Sequence, residues 1–333
     1  MATQVGRREF VVALGGAAAS LYLSPLALRA QQAMPVIGFL NSASSAPFRQ
    51  FVDAFRRGLG ETGFVEGKNL TVEYRWAEGR FERLPGLAAD LIEHRVALIV
   101  ATGGPPAALA AKKAAGMTPV VFNIASDPIK LGLVESLNHP GGNATGTSML
   151  AVAVEPRKLQ FLHDLIPQAK VIGLLVNPGN ANAATISGDL QTAAKALGLE
   201  MPIVKAAAEG EFGAAFEALI QHRAEGLIVA ADPFFNAQRA ALVALATEHA
   251  LPAAYEFREF AAAGGLMSYG PDLADSYRQV GVYAGRILKG EKPADLPVVQ
   301  PTRFQLVINR KTAAKFGLTV PATMLVIADE VIE

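Results

Sequence analysis

Cysteine is absent from all 333 residues, which excludes a disulfide, a thiolate metal site, a cysteine nucleophile and a lipid-bearing N-terminal cysteine. Histidine is scarce, and the five at positions 94, 139, 163, 222 and 249 are scattered without an HExxH or comparable ligand pair. No G-x-S-x-G elbow, phosphate-binding P-loop or G-x-G-x-x-G occurs, and Gly141-Gly142-Asn143-Ala144-Thr145-Gly146 reads as a turn before a strand. These absences argue against an enzyme and lead us to expect no catalytic residue, no metal and no cofactor. A surplus of charge is missing too: 30 basic side chains face 30 acidic ones, so nothing draws the chain to nucleic acid or anionic lipid. A transmembrane anchor is not expected either, because Gly15, Gly16, Ser20, Ser24 and Pro25 interrupt the apolar stretch at the N-terminus.

That stretch instead reads as an export signal over residues 1–30. Arg7 and Arg8 precede a mildly apolar segment from Phe10 to Leu28 that closes on small residues, with cleavage expected after Ala30. Arg7-Arg8-Glu9-Phe10-Val11-Val12 resembles the twin-arginine pattern, with ordinary Sec export as the rival. The remaining chain carries 27 basic and 29 acidic side chains, once three arginines and one glutamate are removed. It is expected to be a soluble exported product of two domains, since its length is about twice the usual domain size.

The remainder repeats itself. Val36-Ile37-Gly38-Phe39-Leu40 ends in Asn41-Ser42 and feeds an amphipathic stretch from Phe48 to Leu59; Val171-Ile172-Gly173-Leu174-Leu175-Val176 ends in Asn177 and feeds an alanine-rich one from Thr185 to Leu197. Leu91-Ile92-Glu93-His94-Arg95 before one buried strand answers Leu219-Ile220-Gln221-His222-Arg223 before another. Pro119-Val120-Val121-Phe122 answers Pro252-Ala253-Ala254-Tyr255, with Gly132 and Gly265 following at equal distance. Four landmarks in the same order imply two copies of one parallel βα unit, that is, an α/β fold of two Rossmann-like, doubly wound lobes.

Ligands of such sheets gather at the carboxyl ends of the strands. The tips comprise Asn41 to Ser44, Thr102 to Gly104, Asn123, Ser126 and Asp127 in the first copy. In the second they comprise Asn177 to Asn180, Asp232 to Phe235, Tyr255 and Glu256. Two facing rims would form a cleft. The stretch 273–288 is expected to return to the first lobe and the terminal strand near Phe304 to join the second. This divides the chain into 34–149 plus 271–292 and 150–266 plus 300–333, linked by three hinge strands near 149–156, 266–271 and 293–301.

Gly63-Phe64-Val65-Glu66-Gly67-Lys68-Asn69-Leu70, Ser126-Asp127-Pro128-Ile129-Lys130-Leu131-Gly132, Pro140-Gly141-Gly142-Asn143 and Leu306-Val307-Ile308-Asn309, with Ala313-Ala314-Lys315-Phe316-Gly317-Leu318, resemble the ABC-transporter substrate-binding family that includes tryptophan and tyrosine binders. The resemblance runs from about Pro35 to the C-terminus. It implies a type I periplasmic binding fold, an amino-acid-like or aromatic ligand, and delivery to an ABC permease in the inner membrane. The alternative is a periplasmic sensor that feeds a membrane receptor kinase.

Within that frame the candidate ligand-binding residues are Asn41, Ser42, Thr102, Gly103, Gly104, Ser126, Asp127, Asn177, Asp232, Phe234, Tyr255 and Tyr269. Thr102-Gly103-Gly104-Pro105 either receives a carboxylate on free N–H groups at a helix start or is a plain tight turn. Asp127 either holds an ammonium or caps the helix from Ile129. Asp232-Pro233 repeats that arrangement beside Phe234 and Phe235, of which one is expected to stack on the ligand and one to lie in the core. Tyr255 and Tyr269 end strands near the hinges, and each offers a ring face and a hydroxyl.

Overall fold

The computed structural model describes residues 34–149 and 151–333; the expected export segment lies outside the described residues. The first half opens with β1 (Val36–Asn41), α1 (Ser45–Glu61), β2 (Thr71–Trp76), α2 (Leu84–Glu93), β3 (Leu98–Thr102), α3 (Pro105–Ala114), β4 (Val120–Ile124) and β5 (Ala144–Ser148). Its strands form a sheet in the order β2-β1-β3-β4-β5, with every neighbour parallel. Helix α1 buries Phe48, Phe51, Val52, Phe55 and Leu59, the three-and-four spacing that puts one apolar stripe on the sheet.

The second half runs through α4 (Glu155–Leu165), β6 (Ile172–Val176), α5 (Ala183–Ala196), β7 (Ile203–Lys205), α6 (Phe212–Gln221), β8 (Gly226–Val229), α7 (Pro233–Ala237), α8 (Arg239–Glu248), β9 (Ala253–Tyr255), α9 (Arg258–Ala262) and β10 (Met267–Pro271). After it come α10 (Leu273–Leu288), β11 (Phe304–Asn309), α11 (Arg310–Lys315), α12 (Ala322–Ile327) and β12 (Glu330–Ile332). The sheet order is β12-β11-β10-β9-β8-β6-β7, so β7-β6-β8-β9-β10 repeats the order of the first sheet strand for strand. The matched residues occupy matched places. His94 and His222 cap the C-termini of α2 and α6, and Arg95 and Arg223 both turn the chain through positive φ, at 54° and 56°.

The halves exchange helices. Helix α4 follows β5 but packs on β8, β9 and β10; α10 follows β10 but packs on α1, β3, β4 and β5. The contact of α10 with α1 is backbone against backbone: a Cβ on Gly281 would stand 2.1 Å from the Phe55 carbonyl oxygen, and one on Gly58 1.9 Å from that of Arg278. From α10 the chain passes Thr147 of β5, where Val299 forms a bridge, and re-enters the second sheet at the end where β10 left it. Hence β11 pairs antiparallel with β10, Pro271 opposite Phe304 and Met267 opposite Ile308. One buried cluster covers the outer face of each sheet, and a third runs through both halves, from Ile37 and Phe39 to Phe212 and Phe234.

Candidate functional site

In both sheets the strand order reverses beside the first strand, between β1 and β3 and between β6 and β8. Such a switch point splays the loops at the carboxyl ends and leaves a crevice. The two crevices face each other across a narrow cavity of about 30 Å³. Its walls are Gly103 to Pro105, Asn123 and Met149 from the first rim, Asn180, Asn182, Ala231 to Pro233, Asn236, Glu256 and Phe257 from the second, and Phe48, Leu273 and Tyr277 from α1 and α10.

The first rim is built from a hydrogen-bonded layer behind the wall. Asn41 donates through Nδ2 to Thr102 Oγ1 at 2.8 Å and to the Tyr277 hydroxyl at 3.1 Å, and accepts from the Ala43 N–H at 2.7 Å. Ser42 donates to the Gly103 carbonyl. These bonds fix the Thr102-Gly103-Gly104 turn, in which both glycines take positive φ, 81° and 87°. Burial drives the Tyr277 phenol upward, so it stays protonated near neutral pH. Pro105 and Pro106 occupy the first positions of α3 and carry no N–H, so the donors at this turn are reduced to those of the glycines and Ala107.

The second rim is organised by Asp232. Its carboxylate accepts from Asn180 Nδ2 at 2.7 Å, from Asn177 Nδ2 at 3.3 Å, and from the Phe234 and Phe235 N–H groups at 2.9 and 3.1 Å. Burial nevertheless pushes the Asp232 carboxyl up from 3.8 to about 6, against the lowering effect of those donors. A group whose pKa is higher folded than unfolded contributes its stability at low pH and loses it as pH rises through the folded value. Asp232→Asn should therefore flatten the fall in stability between about pH 4 and pH 7 by roughly 3 kcal/mol, read from urea midpoints at the two pH values. An equally steep fall in the variant would locate the titrating group elsewhere.

Among the described residues, five polar atoms of this cavity's lining side chains are buried without a hydrogen-bond partner in the protein: Asn123 Nδ2, Asn182 Nδ2, both side-chain polar atoms of Asn236, and Glu256 Oε1. Unsatisfied buried groups cost about 1–3 kcal/mol each, so apposed rims call for a polar solute or solvent between them. Ser126 Oγ, beyond β4, donates to Asn182 Oδ1 at 2.7 Å and so joins the two rims, while Arg239 donates to the Pro47 carbonyl and Gln50 to Glu259 Oε1 across the same two halves; the Asn182 amide nitrogen is left without a partner. Ser126→Ala should speed ligand release about 2- to 13-fold, the value of one net hydrogen bond, with little change in association rate in a stopped-flow measurement; an unaltered release rate would show that the bond does not hold the rims.

Of the residues singled out from sequence, Gly103, Gly104 and Asp232 line the cavity. Asn41, Ser42, Thr102 and Asn177 lie one layer behind, and Ser126 bridges the rims. Four stand away from it. Asp127 is half-buried in an outer groove, where its Oδ1 caps the Ile129 N–H at 2.8 Å. Phe234 packs on Phe212 and Phe235, Tyr255 stacks on Phe260 with centroids 4.5 Å apart, and Tyr269 sits between Phe161 and Phe304. Aromatic surface comes instead from Phe48, Phe257 and Tyr277. Phe48 and Tyr277 lie inside helices, where amphipathic spacing marks them only as apolar.

A largely apolar cavity carrying a few buried polar groups, set between the strand tips of two duplicated α/β halves, is the architecture of a two-lobed binding protein of the type I periplasmic class. The comparisons agree. The family model described as ABC transporter substrate binding protein matches residues 37–332, and the chain belongs to that family, whose members are substrate-binding proteins and not enzymes. A tyrosine-binding protein of Clostridioides difficile (strain R20291) is 26% identical over 259 residues, 78% of this chain and 74% of the relative. The crystal structure of an ABC domain from Streptococcus pneumonia in complex with L-Trp matches with a TM-score of 0.80 and 25% identity, covering 90% of this chain and 99% of that one. A leucine-binding protein, LivK, from Thermotoga maritima shares the fold at a TM-score of 0.56 and 12% identity, over 77% of this chain and 81% of that one. Family members act generally outside the cytoplasm, and no helix among the described residues is long and apolar enough to cross a membrane.

Proposed function

We propose that this protein is the periplasmic solute-binding component of an ABC importer, closing on a small amino-acid-like or aromatic solute and presenting the closed form to an inner-membrane permease. In this reading residues 1–30 direct export by the twin-arginine route, and the mature protein works as a monomer. Its moving parts are 34–149 plus 271–292 and 150–266 plus 300–333. The supporting observation is the group of unpartnered buried polar atoms shared between the two rims. A solute that satisfies them stabilises the closed arrangement over the open one, and this differential drives closure.

The available interactions suffice. Burying an aromatic ring of ~150–250 Å² contributes roughly 4–6 kcal/mol, and micromolar binding requires about 8 kcal/mol. A few hydrogen bonds to charged groups supply the rest and offset part of the immobilisation cost. A thermal-shift series with aromatic and branched amino acids, aromatic acids and short peptides tests the solute class. A ligand at a hundredfold excess over its Kd stabilises the native state by about 2.7 kcal/mol, so at least one compound should raise the melting temperature. A transition unmoved by all of them would remove this solute class.

A further inference from the structure

The cavity wall includes two carboxyl groups, Asp232 and Glu256, and no lysine, arginine or histidine among its described residues. Asp232 is occupied by its own rim. Glu256 is not: at the tip of β9 it is 5% exposed, and its Oε1 has no partner in the protein. The charged groups facing it come from three neighbouring elements: Lys158 and Glu155 of α4, Asp232 beyond β8, and Glu259 of α9. Lys158 is the sole cation among them, and it is engaged elsewhere, 2.8 Å from Glu155 Oε2 and 2.9 Å from the Val229 carbonyl oxygen. The first half and α10 present only neutral groups to the cavity: the Asn123 amide, the Tyr277 hydroxyl and apolar side chains.

A carboxylic acid with no amine would bring negative charge into a space whose only fixed charges are acidic. The opposite holds for a solute with a primary ammonium, which supplies the cation the wall lacks, while the unpartnered amide nitrogens of Asn123, Asn182 and Asn236 are free to meet its oxygen atoms. We propose that Glu256 is the residue that determines ligand choice, pairing as a carboxylate with a primary ammonium, so that amine-bearing solutes of amino-acid size are bound and their deaminated counterparts rejected. This rests on the reading of the cavity as the solute site. Burial raises the proton affinity of Glu256 well above that of an ordinary glutamate. An ammonium beside it favours the ionised carboxylate and so opposes that effect of burial.

The test is calorimetric titration of the purified protein and of Glu256→Gln, which keeps the shape of the protonated side chain. The probes are L-tryptophan, L-tyrosine and L-leucine, the acids 3-(indol-3-yl)propionate and 3-(4-hydroxyphenyl)propionate, the amines tryptamine and tyramine, and benzoate. We expect an amine-bearing compound to bind at least 100-fold more tightly than its deaminated partner. In Glu256→Gln the amine-bearing compound should bind at least tenfold more weakly and the gap to its partner should narrow. A deaminated acid that binds within threefold of its amine, or an unchanged affinity in the variant, overturns the inference while leaving a solute-binding cavity in place. Silence from every compound removes both the solute class and the inference.

Discussion

Replacing Lys158 with alanine should lower the stability of the protein by about 3–5 kcal/mol, the largest loss we expect from any single change. Lys158 is 1% exposed, donates one hydrogen bond to the Val229 carbonyl and forms an ion pair with Glu155. Glu155 in turn accepts the Ala231 N–H at 3.1 Å. The pair thereby pins α4, the first α-helix after the chain leaves β5, to the loop that carries Asp232 into the cavity. Removing the ammonium leaves Glu155 buried beside Glu256 and Asp232 with no counter-charge, and breaking one side of a buried pair is far more damaging than deleting both. Glu155→Leu with Lys158→Met should accordingly lose at least 2 kcal/mol less than Lys158→Ala alone. Urea unfolding at pH 7, compared at equal m-value, measures both. A double variant as unstable as the single one would mean that the geometry of the bonds to Val229 and Ala231, and not the charge, carries the stability.

Gly104→Val should cost roughly 10- to 100-fold in ligand affinity while sparing the fold. Gly104 has φ 87° and ψ −172°, a region essentially restricted to glycine and strained by about 1–3 kcal/mol for other residues. A Cβ there would stand 3.0 Å from Cγ of Pro233, on the opposite rim, before the valine methyl groups are counted. Parting the rims relieves that clash, so the penalty falls on the closed arrangement and appears as lost affinity. Scattering with saturating ligand should show a larger radius of gyration than for the unmodified protein. Full affinity with a normal radius would mean that the rims do not meet at Gly104 in the bound state.

Much of this was legible from the residues. The repeated landmarks correspond to β1 and β6, to the paired His-Arg turns after α2 and α6, and to β4 and β9, and the tips named from sequence include Gly103, Gly104, Asp232, Asn123 and Glu256. Depth at the tip was not legible. Asp127 and Asp232 are both aspartates before proline after a strand, and both cap; only the second lines the central cavity, which no local pattern encodes. Tyr255 and Glu256 are adjacent, and successive side chains point to opposite sides of an extended chain. The ring of one entered the core against Phe260, while the carboxyl of the other entered the cavity. Tyr277 could not be placed without knowing how closely α10 lies on α1, and Asn182 and Asn236 carry no signal beyond a polar residue near a helix start.

The contact between α1 and α10 also governs the order in which the protein can mature. Until Leu288 has left the ribosome, the face of the first sheet that α10 covers has no lid, and that interval follows β5 by roughly 7–30 s at a synthesis rate of about 5–20 residues per second. A nascent chain held incomplete for so long is a target for chaperones, and early truncation products that end before α10 should be sticky and short-lived.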